Sequence, residues 1–281
     1  MMHKIRFLLL VIIAVVSILI LGNGCRDTHK TLDHFPIEVG NSWEYSRKFS
    51  VVVYDTVNND TTEFLVTDSL HEEFEGIDTL AGWECYRLKR ILYEQNGMYS
   101  GTWWYAHPDT ALLCIAYIYY SAATTTSPET DVHLGFRLGG ITFDSPQALA
   151  QYLYYQRNCR LPTLNLLNSD TMYWSSPKKV FIYPLKVGVS WTAIADTNQW
   201  VEEREVMAED SVTVPAGTFL ALRTERMIDW MTENDFLCMW ISEEGIVKDS
   251  CRITGEVIDS GGTVIGYLIS DDIYELLDFH Q

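Results

Sequence analysis

The chain has little positive charge for its size. Its 281 residues include 20 lysines and arginines against 38 aspartates and glutamates, so the formal net charge at pH 7 is −18. A surface of that sign repels phosphate backbones and anionic lipid headgroups, and we therefore expect no nucleic-acid partner. Such acidity is typical of a protein that its charge keeps soluble, and a cation-binding face is the alternative interpretation.

Motifs of the common catalytic classes are also missing. The chain contains no G-x-S-x-G, P-loop, H-E-x-x-H or G-x-G-x-x-G pattern, and its seven histidines are scattered. The densest group of potential metal ligands is His71, Glu72, Glu73 and Glu75. In so acidic a chain this group is typical of a solvated charge run, so we predict no catalytic residues, no metal site and no cofactor.

No apolar run in the chain reaches the length of about 20 residues that spans a bilayer as a helix. The longest covers residues 7–21 and is interrupted once by a serine. Lys4 and Arg6 precede this run, and small residues and Cys25 follow it directly. This order predicts a signal peptide over residues 1–24, removed on export, and a globular part that lies outside the cytoplasm.

The end of this segment resembles a bacterial lipobox. Gly24 precedes Cys25, although Gly22 and Asn23 stand where a leucine and a small residue are usual. The resemblance implies that Cys25 carries a diacylglyceryl thioether and an amide-linked acyl chain, and more than one chain anchors a protein stably. Arg26 stands where an aspartate is associated with inner-membrane retention, which favours the outer membrane. The alternatives are cleavage near Gly24 without lipidation and an uncleaved signal anchor.

Two distant segments of the chain are similar to each other. Residues 35–43, FPIEVGNSW, return at residues 183–191 as YPLKVGVSW, with five identities in nine positions. Further matches follow in the same order: Ala81-Gly82 with Ala216-Gly217, Trp103 with Trp240, and Cys114 with Cys251. A period near 140 residues is too long for a solenoid, so the pattern predicts two related units.

These observations set the predicted domain organisation and fold. Strand patterns dominate both units, with Pro215-Ala216-Gly217 as a hairpin turn, while a capped helical pattern starts near Asp144. The predicted fold is mostly β: two tandem related antiparallel curved sheets, half-barrel or sandwich-like, with one short helical insertion. The segments are a linker over residues 25–34, unit 1 over 35–120, the insertion over 121–182 and unit 2 over 183–281.

The turn motif V-T-V-P-A-G-T-F at residues 212–219, with the flanking segments 183–191 and 239–247, resembles a broad class of uncharacterised bacterial lipoproteins and periplasmic proteins. The resemblance covers residues 183–255 well and the first unit poorly, because residues 80–83 lack the proline. Such proteins are similar to curved half-barrels of the outer-membrane lipoprotein-carrier type. The resemblance implies a fold and supplies no catalytic residues.

Aromatic residues are the candidate ligand-binding groups, because flat rings supply large contact areas for sugars or acyl chains at low entropic cost. The candidates are Trp103, Trp104, Tyr105, Tyr117 and Tyr119. Adjacent strand residues face opposite sides of a sheet, so only one of the two tryptophans can lie in the core. The alternative is that one ring packs in the core and the other at a seam between the units.

The cysteines allow one disulfide prediction, because export leads to an oxidising compartment. Cys238 and Cys251 flank a predicted hairpin that turns at residues 243–245, and a four-residue loop would place them opposite each other. The alternative is a pair of buried thiols, which the match of Cys114 with Cys251 favours.

From the sequence alone, we predict an exported, lipid-anchored protein of the cell envelope. It is expected to contact the membrane through the anchor at Cys25. It is also expected to bind another envelope protein, a glycan or a lipid, as a non-catalytic binding or structural module. The alternative is a secreted or periplasmic hydrolase whose site is assembled from distant residues. An open apolar cavity would favour lipid carriage, a cleft joining histidine and carboxylates would favour the enzyme, and filled sheets would favour a structural module.

Overall fold

The computed structural model describes residues 30–94, 97–121, 135–138, 141–144, 148–149, 171–196 and 200–281. These residues contain fourteen strands: β1 (Ser42–Asp55), β2 (Asp60–Leu80), β3 (Trp83–Glu94), β4 (Gly97–Ala106), β5 (Ala111–Ser121), β6 (Gly135–Leu138), β7 (Ile141–Phe143), β8 (Met172–Ile182), β9 (Ser190–Asp196), β10 (Trp200–Val214), β11 (Gly217–Ile228), β12 (Phe236–Ser242), β13 (Gly245–Ile258) and β14 (Val264–His280).

Several sequence predictions lie outside the described residues. These are the signal peptide, the lipidation of Cys25 and most of the insertion, including Cys159. Of the predicted helix, Ala148 and Leu149 are described, and both are helical. Within the described ranges, no helix is both long and apolar enough to cross a membrane.

All the strands belong to one sheet in which every pairing is antiparallel. The order is β8-β5-β4-β3-β2-β1-β14-β13-β12-β11-β10-β9, with β6 and β7 attached beside β13. The prediction of a mostly β, antiparallel fold is therefore confirmed. The two predicted sheets are halves of a single one, because β1 of unit 1 pairs along its whole length with β14 of unit 2, from Ser42 opposite His280 to Asp55 opposite Gly266.

The segments that precede β1 and β9 have the same local backbone geometry. Gly40 and Gly188 have φ angles of 100° and 84°, which glycine adopts without the strain that a Cβ would bring. The N–H of Gly40 donates to the carbonyl of Phe74, and that of Gly188 donates to Val206, each at 2.8 Å. A bulge follows directly after both acceptors, at Phe74/Gly76 and Val206/Ala208. Duplication itself stays a prediction.

The tryptophans of the two halves correspond differently from the sequence match. Trp104 Nε1 donates to Asp78 at 2.7 Å, and Trp240 Nε1 donates to Asp210 at 3.0 Å. Trp240 therefore occupies the place of Trp104, whereas Trp103 faces inward and is fully buried. The match of Trp103 with Trp240 is off by one residue, because sequence identity alone does not report which face of a strand a residue occupies.

The predicted Cys238–Cys251 disulfide is wrong. A bulge at Trp240/Ile241 shifts the β12–β13 register, so that Leu237 lies opposite Cys251 and Cys238 lies opposite Ser250. The two sulfur atoms therefore point to opposite faces of the sheet, where no bridge can form. Both residues are buried thiols, as the alternative interpretation expected.

The inward face of the sheet carries two separate apolar clusters. Along β1 every second side chain points inward, and Trp43 and Tyr45 belong to the first cluster while Phe49 and Val51 belong to the second. Arg47 lies between them and is also buried. The same order recurs on other strands, so a layer of polar side chains separates the two clusters.

Candidate functional site

Among the described residues, ten buried charged side chains lie on the inward face, and we call them the charged belt. Most lie between the two apolar clusters, whereas Glu72 and Arg90 lie between residues of the cluster that contains Trp43. Each is at most 8% exposed, and they comprise five cations and five carboxylates: Arg47, Asp68, Glu72, Arg90, Lys178, Glu202, Arg204, Arg226, Asp249 and Asp272. Taking charges out of water costs several kcal/mol per ion unless the groups are well paired, and apolar residues of similar size are often more stable. Stability alone therefore does not account for the belt.

One end of the belt has an excess of carboxylates around Arg47. Its Nε and Nη2 donate to the two carboxylate oxygens of Asp272 at 2.9 and 3.2 Å. Its Nη1 lies 3.5 Å from both Asp68 and Glu94. Burial raises the pKa of the Glu94 carboxyl to about 6 and also raises the pKa of Asp68, although Arg47 opposes both shifts. Three carboxylates thus share one guanidinium.

The other end of the belt has an excess of cations around Glu202. One carboxylate oxygen accepts hydrogen bonds from Arg204 Nε and Arg226 Nε at 2.8 and 2.9 Å, and Lys178 Nζ lies 3.0 Å from the other. Burial opposes ionisation of Glu202, yet the three cations hold its pKa well below the usual range. Burial lowers the pKa of Arg204, and the charge of Arg226 adds to that effect. Three cations thus surround Glu202, and Asp249 is a second carboxylate whose charge acts on Arg204.

The curvature of the sheet creates this cationic end. Lys178 lies on β8 and Glu202 on β10, which are near opposite ends of the strand order, yet they form an ion pair. The Nη1 of Arg204 also donates to the carbonyl of Val180 on β8 at 2.8 Å. Arg204 lies directly opposite Arg226 in the β10–β11 ladder, a like-charge pairing that would be destabilising without the carboxylate between them.

A pocket opens beside the cationic end, between the belt and the apolar cluster that contains Trp43. Four belt residues face it: Glu72, Arg90, Lys178 and Arg204. The rest of its wall is apolar and aromatic, and Phe35 from the segment before β1 forms part of that wall. The cavity is small, about 50 Å³, and is partly open to solvent. Its lining suits a small molecule, because binding pockets combine apolar walls with a few convergent polar groups.

Comparisons with known proteins add little to this geometry. No family model matches the chain, and no curated protein matches it. A candidate exported protein with a YmcC-like fold from Bacteroides fragilis is similar at 11% identity and a TM-score of 0.35, over 89% of this chain and 100% of that one. A candidate lipoprotein from Parabacteroides distasonis is similar at 14% identity and a TM-score of 0.35, over 88% of this chain and 97% of that one. Likeness this loose carries no argument about the site.

The predicted aromatic candidates are distributed over three environments. Trp103 is fully buried beneath Arg90, whose guanidinium carbon lies 4.7 Å from its ring centroid. Tyr105 lines the pocket. Tyr117 is buried beside Trp174, with ring centroids 5.9 Å apart.

Of the other two candidates, Trp104 does not line the pocket. Trp104 lies half-buried on the outer face and donates to Asp78. Tyr119 belongs to β5, but its side chain lies outside the described part of the molecule.

The acidic group around His71 is divided between the two faces of the sheet. His71 Nδ1 lies 2.6 Å from Glu44 Oε1, and its Nε2 lies 3.5 Å from Glu73, all on the outer face. Glu72 points inward and pairs with Arg90. In the described ranges, no group of three or more histidine, cysteine or acidic side chains is placed to hold a metal ion.

The charged belt went unpredicted, although β1 carries a sign of it. Trp43, Tyr45, Phe49 and Val51 occupy alternate positions, which predicts a buried face, and Arg47 falls in the middle of that series. A charged residue at an inward position of an otherwise apolar alternation indicates a buried charge. Its partners come from β2, β3 and β14, and the sequence does not specify that pairing.

Proposed function

We propose that this protein is an envelope lipoprotein, anchored through Cys25, that binds a small organic ligand in the pocket beside the cationic end of the belt. The pocket itself carries the proposal, because it joins an aromatic wall to four buried charged side chains. The apolar run before Cys25 supports export and anchoring. The weak preference for the outer membrane comes from Arg26 and is part of the same proposal.

The groups around the pocket favour binding over catalysis. A general acid or base works best with a pKa near the operating pH, whereas the pKa of Glu202 lies well below its usual range. Glu72 is held by Arg90 in a close ion pair. No histidine is among the described residues that line the pocket. A hydrolase, the alternative prediction, would need such a group beside the ligand.

The anchor is tested by metabolic labelling with palmitate. The wild-type protein is expected to incorporate the label and to be recovered with membranes, and Cys25→Ser is expected to abolish both. Continued labelling of the variant would contradict the anchor without affecting the pocket.

The pocket is tested with a soluble aromatic probe, 2-phenylethanol, by titration followed with NMR. Leu112 points into the pocket, and Leu113, its neighbour on β5, points to the other face of the sheet. Leu112→Phe is expected to weaken binding by filling the space, and Leu113→Phe is the matched control with the same change in size. Equal binding by both variants would contradict the proposed site, provided that their melting temperatures are similar.

A further inference from the structure

We infer that the ligand of this pocket is a small organic carboxylate, with its anionic group beside Lys178 and Arg204 and its apolar body against the aromatic wall. This inference rests on the proposed function and names the class of ligand. It comes from the juxtaposition of two buried cations, Lys178 and Arg204, with an apolar cavity.

The charge count gives the sign of the ligand. Of the four charged side chains that face the pocket, three are cations and only Glu72 is an anion. Glu72 lies against Arg90, and the carboxylate of Glu202 is shared among three cations. A ligand carboxylate in the pocket would accept charge-assisted hydrogen bonds from Lys178 and Arg204, which already share Glu202 with Arg226.

The wall gives the chemistry of the rest of the ligand. Phe35, Phe74 and Leu112 line the pocket together with other apolar side chains. A fully hydrated inorganic anion gains nothing from such a surface, whereas an organic acid can bury its apolar body there while its carboxylate meets the cations. The enclosed space is small, so a short or single-ring acid fits better than a long lipid.

The first experiment compares three probes on the wild-type protein by calorimetry: phenylacetate, the neutral 2-phenylethanol and inorganic phosphate. Phenylacetate is expected to bind at least tenfold more tightly than either of the others. Equal binding of phenylacetate and phenylethanol would overturn the inference and leave the proposed function standing. Tighter binding of phosphate would also overturn it, and binding of none of the three would contradict the proposed function itself.

The second experiment uses two variants that change the net charge of the pocket lining in opposite directions. Lys178→Gln removes a cation and is expected to weaken phenylacetate binding tenfold or more, with little effect on phenylethanol. Glu72→Gln removes the one anion among the described residues that face the pocket, and it is expected to strengthen phenylacetate binding. Lys248→Gln is the control, because Lys248 pairs with Glu275 on the outer face.

Opposite effects of the two pocket variants cannot come from a general loss of structure. If Lys178→Gln does not fold, Glu72→Gln alone tests the inference. Unchanged or weaker phenylacetate binding by that variant would overturn it. Decanoate, added at concentrations below micelle formation, distinguishes the source of the acid. Tighter binding of decanoate than of phenylacetate would overturn the short-acid class in favour of a membrane-derived fatty acid.

Discussion

The free-energy cost of burying the charged belt is clearest around Arg47. Its guanidinium faces three carboxylates, and two of them have raised pKa values because burial disfavours their charged forms. At neutral pH, burial and mutual repulsion therefore disfavour the ionised forms of Asp68 and Glu94 more than Arg47 favours them. Protonation of one carboxyl relieves that cost, so the stability of the fold depends on pH at this cluster.

Glu94→Gln is expected to change the pH dependence of stability. The pKa of Glu94 is about 6 in the fold and about 4.5 in the unfolded chain, so the folded state binds more protons between these values. This group therefore lowers the free energy of unfolding as the pH rises from 4.5 to 6. The variant should gain melting temperature relative to the wild type at pH 7.5 and not at pH 4. The exposed Glu84→Gln is the control, and parallel pH profiles of wild type and Glu94→Gln would contradict the expectation.

Gly245 is a second residue at which a substitution is expected to change the stability of the fold. Its φ angle is +113°, and a Cβ at this position would lie 2.8 Å from Trp43 Nε1, which donates to the carbonyl of Glu244. Gly245→Ala is expected to destabilise the fold by roughly 2 to 4 kcal/mol, through backbone strain and overpacking together. Gly217 also has positive φ, at +144°, but a Cβ there would meet only ordinary contacts.

Gly217→Ala is therefore the matched control, with an expected cost of about 1 kcal/mol from backbone strain alone. Denaturant unfolding measures both variants. Equal losses of stability would show that the contact between the added Cβ at position 245 and Trp43 contributes nothing to the loss.

At the scale of elements, the sequence predicts the strands far better than their pairing. The predicted turn at Pro215-Ala216-Gly217 locates the β10–β11 hairpin, where Val214 lies opposite Gly217. Sequence patterns do not locate the bulge at Trp240/Ile241, because a bulge needs no particular residue and changes only the register. The charged belt is not located either, because two of its ion pairs, Arg47–Asp272 and Lys178–Glu202, join strands that are not consecutive in the chain.

The shifted register of β12 and β13 has a chemical test. Under denaturing conditions without reductant, alkylation is expected to modify both Cys238 and Cys251, because their sulfur atoms lie on opposite faces and cannot be bridged. Without denaturant, both are expected to react slowly because they are buried. Detection by mass spectrometry of a peptide pair joined through these two residues would contradict the register.

At the scale of the whole molecule, the strands of the two predicted units form one continuous sheet. The β1–β14 ladder joins the halves through fourteen residue pairs. Trp43 and Trp191, at equivalent positions of the halves, are both buried in the same apolar cluster. Neither half therefore has a separate core, and we expect the described part of the chain to unfold as a unit.

Trp43→Leu and Trp191→Leu are expected to lower one and the same unfolding transition. Each change removes a large buried ring, with an expected cost of about 2 kcal/mol or more. Far-UV circular dichroism and tryptophan fluorescence should report coincident transitions in both variants. Two separate transitions, with only one shifted by each variant, would show that the halves are independent domains.

The β1–β14 ladder also has a consequence for the path by which the chain folds. Ser42 and His280 lie opposite each other, so the pairing encloses almost the entire described chain in one loop. A permuted chain that joined position 280 to position 42 and opened between β8 and β9 would make β14 and β1 consecutive. Along the main path of the sheet, spatial neighbours would then also be neighbours in the chain. Because folding slows as contacting residues lie farther apart in sequence, the natural connectivity places its slowest step at the β1–β14 seam.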